Sequence, residues 1–166
     1  MKLYIMCGAP GCGKSYFAKH HLIEGPGWRY ISRDEVRFEI IKEDEEYFSH
    51  ETKVFNEFVR RIKAAFNDDG VFNVIADATH LNWASRRKLI NALGNIKCDI
   101  IPVVINNDIA TIIEQNEQRT GRSCVPRSAV WRMFAQMTDP KTDPYSYTAI
   151  MYIDNRKEDK NDMANQ

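Results

Sequence analysis

The chain has no excess of charge of either sign: 23 lysines and arginines balance 23 aspartates and glutamates. No global field draws it to a polyanion, so any nucleic acid it meets must be met by a local patch. It also lacks cysteine pairs. Its four cysteines, Cys7, Cys12, Cys98 and Cys124, form no Cys-x-x-Cys motif, and none lies near a histidine at zinc spacing. That pattern fits reduced thiols in a cytosolic protein. No apolar run reaches membrane-spanning length, and no charged-then-apolar export signal precedes the first apolar stretch, so the expectation is a cytoplasmic protein with no membrane partner. Internal repeats and low-complexity segments are absent too. What remains is 166 residues, 43% of them hydrophobic, enough for one compact domain and too few for two of ordinary size.

The stretch Gly8-Ala9-Pro10-Gly11-Cys12-Gly13-Lys14-Ser15 reads G-x-x-x-x-G-K-S. An apolar run, Lys2 to Cys7, stands before it and a helical pattern follows, the context of a phosphate-binding loop. The glycines let successive backbone N–H groups turn toward phosphate oxygens. Lys14 is suited to the outer phosphates of a nucleoside triphosphate, and the Ser15 hydroxyl to the shell of a magnesium ion.

Further along, Trp28 to Ser32 reads as a second strand, with Asp34 opening a helix at its exit. From spacing alone Asp34 is either a helix N-cap or a group facing the phosphate loop, since both would lie at the carboxyl edge of the sheet. Lys42 to Glu51 is strongly acidic and is expected to be solvated. Val54, Phe55, Phe58, Val59, Ile62 and Phe66 form one apolar helical face, which is core. A third strand, Val71 to Ala76, leads to Asp77, an acid placed either to serve magnesium or to orient an arginine. His80 has no evident second ligand. Arg86, Arg87 and Lys88 touch a polyanion or, more simply, form a solvated helix face. Asp99 to Ile105 is the fourth strand, Asn106-Asn107-Asp108 caps the next helix, and Tyr147 to Ile153 is the fifth strand. Between Arg119 and Arg132 there are four arginines and no acid, broken by Gly121 and Pro126. Such a segment suits a mobile lid that neutralises a transferring phosphoryl group and excludes water, though a basic turn between helices would read alike.

Three blocks, Ser32-Arg33-Asp34-Glu35-Val36-Arg37, Asp77-Ala78-Thr79-His80-Leu81-Asn82 with Arg86-Arg87, and Asn116-Glu117-Gln118-Arg119 running to Val125-Pro126, join the phosphate loop in a wider pattern. Together they resemble the kinase domain of the bacteriophage and bacterial 5′-hydroxyl polynucleotide kinases. The resemblance covers residues 1–153 and leaves 154–166 as a polar tail. It implies an α/β P-loop kinase fold: a five-stranded parallel sheet flanked by helices, with an arginine-bearing lid at about 119–128. It further implies ATP and Mg2+ as cofactors, held by the loop residues Ala9, Pro10, Gly11, Cys12, Gly13, Lys14 and Ser15 with Tyr16, and Ser15 as the magnesium ligand. Asp34 would be the general base on the 5′-hydroxyl, Arg37 would contact the acceptor, Asp77 would stand near the acceptor site, and Arg119 would reach the donor phosphates. Gln115 replaces a second lid arginine found in some members, for which Arg122 is a candidate substitute among the donor-binding residues. The expected partner is a 5′-OH end of DNA or RNA. Two other functions fit the loop: a kinase of a small-molecule hydroxyl, such as a nucleoside or sugar, and an ATP-binding regulatory module.

Overall fold

The computed structural model describes residues 1–156 apart from Glu43 and Tyr47, and the backbone but not the side chain of Arg122. Five strands, β1 (Lys2–Cys7), β2 (Trp28–Ser32), β3 (Asn73–Asp77), β4 (Asp99–Asn106) and β5 (Met151–Asp154), pair in the order β2-β3-β1-β4-β5. Every pairing is parallel. The most apolar strand is the central one, because β1 is covered on both faces. Leu3, Ile5 and Cys7 point into a core with Phe58, Ile62 and Leu89, while Tyr4 and Met6 point into one with Leu22, Ile112 and Val130. Burying each large side chain contributes about 1.5 to 3 kcal/mol. From β1 the chain crosses over β3 to reach β2, then returns past β1 to β4. The loop after β1 therefore leaves at the point where the strand order reverses, the place where open α/β sheets bind ligands.

The helices are α1 (Lys14–Phe17), α2 (Arg33–Ile40), α3 (Glu51–Phe66), α4 (Trp83–Leu93), α5 (Ile109–Glu117) and α6 (Arg127–Ala135). α1 lasts one turn and continues as a π-helical stretch, Ala18–Leu22. The stripe predicted on α3 is buried as expected. Asp108 caps α5, its side chain accepting from the Thr111 N–H at 2.8 Å. Strand β5 begins later than predicted, pairing with β4 only from Met151, and Tyr147 before it donates its hydroxyl to Asp143 at 2.6 Å. Residues 157–166, most of the expected polar tail, lie outside the described residues.

Arg86 departs furthest from expectation. It is not on a solvated face but wholly buried. Its Nε and Nη2 each donate to Asp143 at 2.6 Å, Nη1 to the His80 carbonyl at 3.1 Å and Nη2 also to Thr138 at 3.0 Å. Burial works against its charge, but the Asp143 hydrogen bonds and the neighbouring acidic groups outweigh it, so its pKa sits above the ordinary value. The pair ties the start of α4 to the segment leading into β5. His80 belongs to the same knot: its Nδ1 lies 2.9 Å from the Met6 carbonyl oxygen. Burial lowers its pKa to about 4, so it is a neutral core residue. Arg87 and Lys88 are exposed, over the rings of Trp83 and Phe55.

Candidate active site

Backbone conformation shapes the phosphate loop. Gly13 precedes α1 in the left-handed region at φ 98°. At Gly11, φ is 88° and an added Cβ would stand 2.5 Å from the Ile112 carbonyl oxygen. Only glycine lets the loop lie this close to α5. Ala9 and Cys12 are buried beneath it, and Tyr16 projects to solvent. Lys14 is only 7% exposed. Its ammonium donates to the Ala9 carbonyl at 2.8 Å and lies 3.8 Å from Cys12 Sγ. Among the described residues no carboxylate pairs with it. A buried cation without a counter-charge is costly, and an anionic phosphate would relieve that cost.

Strand register brings the next group in. Ser32 pairs with Asp77 across β2 and β3, so Asp77 is the last strand residue and not the first of a loop. It is 4% exposed. Its Oδ2 accepts from the Ser15 hydroxyl at 2.6 Å and from the Tyr30 hydroxyl at 2.5 Å. Among the described residues its hydrogen bonds come from these two hydroxyls and from no arginine. Burial, and then the charge of Asp77, push the Tyr30 pKa up.

Asp34 is not a helix cap. Ser32 takes that position, its hydroxyl accepting from the Glu35 N–H at 3.3 Å. Asp34 is thereby left in the first turn of α2, its side chain 60% exposed and paired with Arg37 Nη1. Arg37 itself is 5% exposed. Its Nε and Nη2 donate to Glu51 Oε1 at 2.9 and 2.8 Å, and Arg33 Nη2 donates to Glu51 Oε2 at 2.6 Å. Arg33 Nε is buried without a partner among the described residues, and burial lowers the Arg33 pKa. Glu51 is therefore not a solvated end of the acidic stretch. It opens α3 and joins α2 to it through two guanidinium groups.

These groups line one cleft of about 170 Å³, whose walls include Lys14, Ser15, Asp34, Arg37, Asp77 and Arg119. A second, smaller cavity of about 140 Å³ shares Lys14, Ser15 and Arg119 with it and adds Gly11, Gly13, Tyr16 and Gln115. Arg119 thus borders both. The segment after it is pinned at its base: Asn116 is 1% exposed, and its amide donates to the Val125 carbonyl at 2.7 Å while its Oδ1 accepts from the Val125 N–H at 3.1 Å. Within that segment, residues Gly121–Ser123 form a single 3-10 turn. The Arg122 side chain, expected to replace a lid arginine, lies outside the described residues.

A family model described as an AAA domain (AAA_33) matches residues 3–140. The chain belongs to this P-loop family. No curated protein matches it by sequence. Among solved structures it is similar to one in the Pnkp1/Rnl/Hen1 RNA repair complex, with a TM-score of 0.69 and 24% identity over 82% of this chain and 43% of that one. It is similar to a fungal RNA kinase (TM-score 0.61, 12% identity, 96% of this chain and 77% of that one). It is also similar to a sugar kinase from Janibacter sp. HTCC2649 (TM-score 0.59, 14% identity, 92% and 84%). The chain spans 43% and 38% of the two RNA repair chains it matches. The fold is that of the P-loop kinases, with the five-stranded parallel sheet and flanking helices expected of it.

The motifs had pointed to most residues of the cleft in this P-loop kinase fold. Tyr30, Glu51 and Arg33 had carried no signal: Tyr30 reads as an ordinary strand aromatic and Glu51 as one acid in an acidic run. Among the described residues no cluster of three or more histidines, cysteines and acids is placed to hold a metal, and no helix is long and apolar enough to cross a membrane.

Proposed function

We propose that the chain is an ATP-dependent kinase that moves the γ-phosphoryl group of ATP to the 5′-hydroxyl end of a DNA or RNA strand. The observation that carries this reading is that an exposed carboxylate, Asp34, shares one cleft with Lys14, Ser15 and Asp77. A module that only binds nucleotide has no use for a base across from its phosphate loop.

The residues fit both cofactors. Lys14 offers a buried cation to the donor phosphates. The Ser15 hydroxyl and Asp77 carboxylate supply two hard oxygens, and magnesium commonly takes one or two protein oxygens with phosphates and waters completing its shell. When bound there, the ion supplies charge neutralisation at the phosphoryl oxygens. Asp34 takes the proton of the attacking hydroxyl, a contribution of ~10²- to 10⁴-fold in general acid–base catalysis. Arg37, held by Glu51, orients Asp34 and adds positive charge beside the acceptor. Arg119, bordering both cavities, reaches the donor phosphates from the lid. The 5′-OH strand end is favoured by the run of motifs shared with the polynucleotide kinases.

A second reading, a small-molecule hydroxyl as acceptor, is supported by the likeness to a sugar kinase, and the cleft fits it as well as the first. At about 170 Å³ it is below the ~300 to 1,000 Å³ of ordinary ligand pockets, so it admits a chain terminus or a small polyol and little more. One experiment separates the two. Label transfer from γ-labelled ATP is measured to a 5′-hydroxyl oligonucleotide, to the same oligonucleotide already 5′-phosphorylated, and to a panel of nucleosides and sugars. Transfer to the first alone is the expected result. Transfer to a nucleoside or sugar in preference would replace it with the second reading.

A further inference from the structure

Asp77 faces an awkward electrostatic setting. It is a nearly buried carboxylate in a cleft whose walls carry the ammonium of Lys14 and the guanidinium groups of Arg33, Arg37 and Arg119. Each of these would attract it. A carboxylate free to swing toward Lys14 would neutralise the cation meant for the donor phosphates and leave the Ser15 hydroxyl without an acceptor.

One further group opposes it. The Tyr30 hydroxyl donates to the same oxygen, Oδ2, that accepts from Ser15. Two donors converging on one oxygen from β2 and from α1 fix the plane of the carboxylate. Because Ser15 donates its only hydroxyl hydrogen to Asp77, the lone pairs of its oxygen are what it offers to the cleft. Among the described residues Oδ1 of Asp77 takes no hydrogen bond. The phenol is itself fixed: Tyr30 pairs with Ile75 in the register of β2 with β3, and the Lys19 ammonium lies 4.6 Å from its ring centroid.

We propose that Tyr30 is a positioning residue of the transfer site, holding Asp77 away from Lys14 so that the Ser15 oxygen and Asp77 Oδ1 together form the protein side of the magnesium site. This rests on reading the site as one for magnesium and ATP. The phenol does not touch the ion or the substrate; it acts through the carboxylate. Groups that orient metal ligands in this way are typically worth ~10- to 100-fold in metal affinity or activity.

Calorimetric titration of ATP, with magnesium and then with EDTA, tests this on the wild-type chain and on Tyr30→Phe, Asp77→Asn and the double variant, with a thermal melt of each. The wild type is expected to bind ATP more tightly with magnesium, and a wild type indifferent to magnesium would remove the reading on which the proposal rests. Given that dependence, Tyr30→Phe should lose about tenfold or more of the gain from magnesium, beyond any loss it shows in EDTA. In the Asp77→Asn background the same change should add nothing, there being no carboxylate left to hold. A Tyr30→Phe chain with the full magnesium gain would overturn the proposal. So would one that loses affinity equally in both solutions, or that compounds the loss of Asp77→Asn, since either would make Tyr30 a structural residue only.

Discussion

Two arginine–carboxylate networks stand beyond the ends of neighbouring strands, and they are built to opposite ends. Around Arg86 both partners of the ion pair are fully buried, and the guanidinium makes four hydrogen bonds to Asp143, His80 and Thr138. Around Arg37 the guanidinium is almost as buried, but of the two carboxylates paired with it among the described residues, Asp34 is 60% exposed on the cleft. A salt bridge closed on all sides fixes the fold, and the same chemistry with one member turned to solvent leaves an exposed carboxylate held in place. The difference lies in what surrounds the acid, since the residue types are the same.

Breaking the closed network should cost the most. Arg86→Ala strands Asp143 as an unpaired buried charge, and urea denaturation should find a loss of about 3 to 5 kcal/mol. Asp34→Asn, in the open network, should change stability by no more than ~0.5 kcal/mol. Next comes acidification. Unfolded, His80 takes up a proton near pH 6.5, whereas in the folded protein it does so only near about 4. Between those values the unfolded chain holds more protons, so stability falls as pH falls through that window, fading by about 2 kcal/mol from pH 7 to pH 5. Denaturation of the wild type and of His80→Gln at both pH values checks the sign: the variant should lose most of the slope. The smallest effect concerns the lid. Asn116→Ala removes the two hydrogen bonds that pin Val125, and steady-state kinetics should show KM for ATP rising by about tenfold, the equivalent of about 1.4 kcal/mol, with Asp34 undisturbed.

The open network was half legible in the sequence and the closed one hardly at all. Asp34 and Arg37 stand three positions apart on one helix, and Lys14 and Ser15 are adjacent, so local spacing brings each pair together. Glu51 lies 14 residues from Arg37, Tyr30 lies 47 from Asp77, and Asp143 lies 57 from Arg86. Those contacts exist only once α2 packs on α3 and the strands are in register. From spacing, Asp34 could be the cap of α2 or face the phosphate loop, and the Ser32 hydroxyl, accepting from the Glu35 N–H, takes the capping position instead. Arg86 resembled its exposed neighbours Arg87 and Lys88 because helical periodicity gives charged residues to the surface by default, and a buried partner 57 residues on, beyond β4, leaves no local mark. The strands themselves were readable, since β1, β3 and β4 are apolar on both faces, and only β5, the edges of β3 and the last residue of β4 shifted.

The central claim, that Asp34 is the base facing the phosphate loop, is tested most directly by single-turnover transfer from γ-labelled ATP to a 5′-hydroxyl oligonucleotide, comparing the wild type with Asp34→Asn and measuring ATP affinity alongside. The account predicts a fall of ~10²- to 10⁴-fold in the rate of transfer with ATP affinity and melting temperature essentially unchanged. Transfer by Asp34→Asn at near the wild-type rate, with ATP still bound, would contradict it.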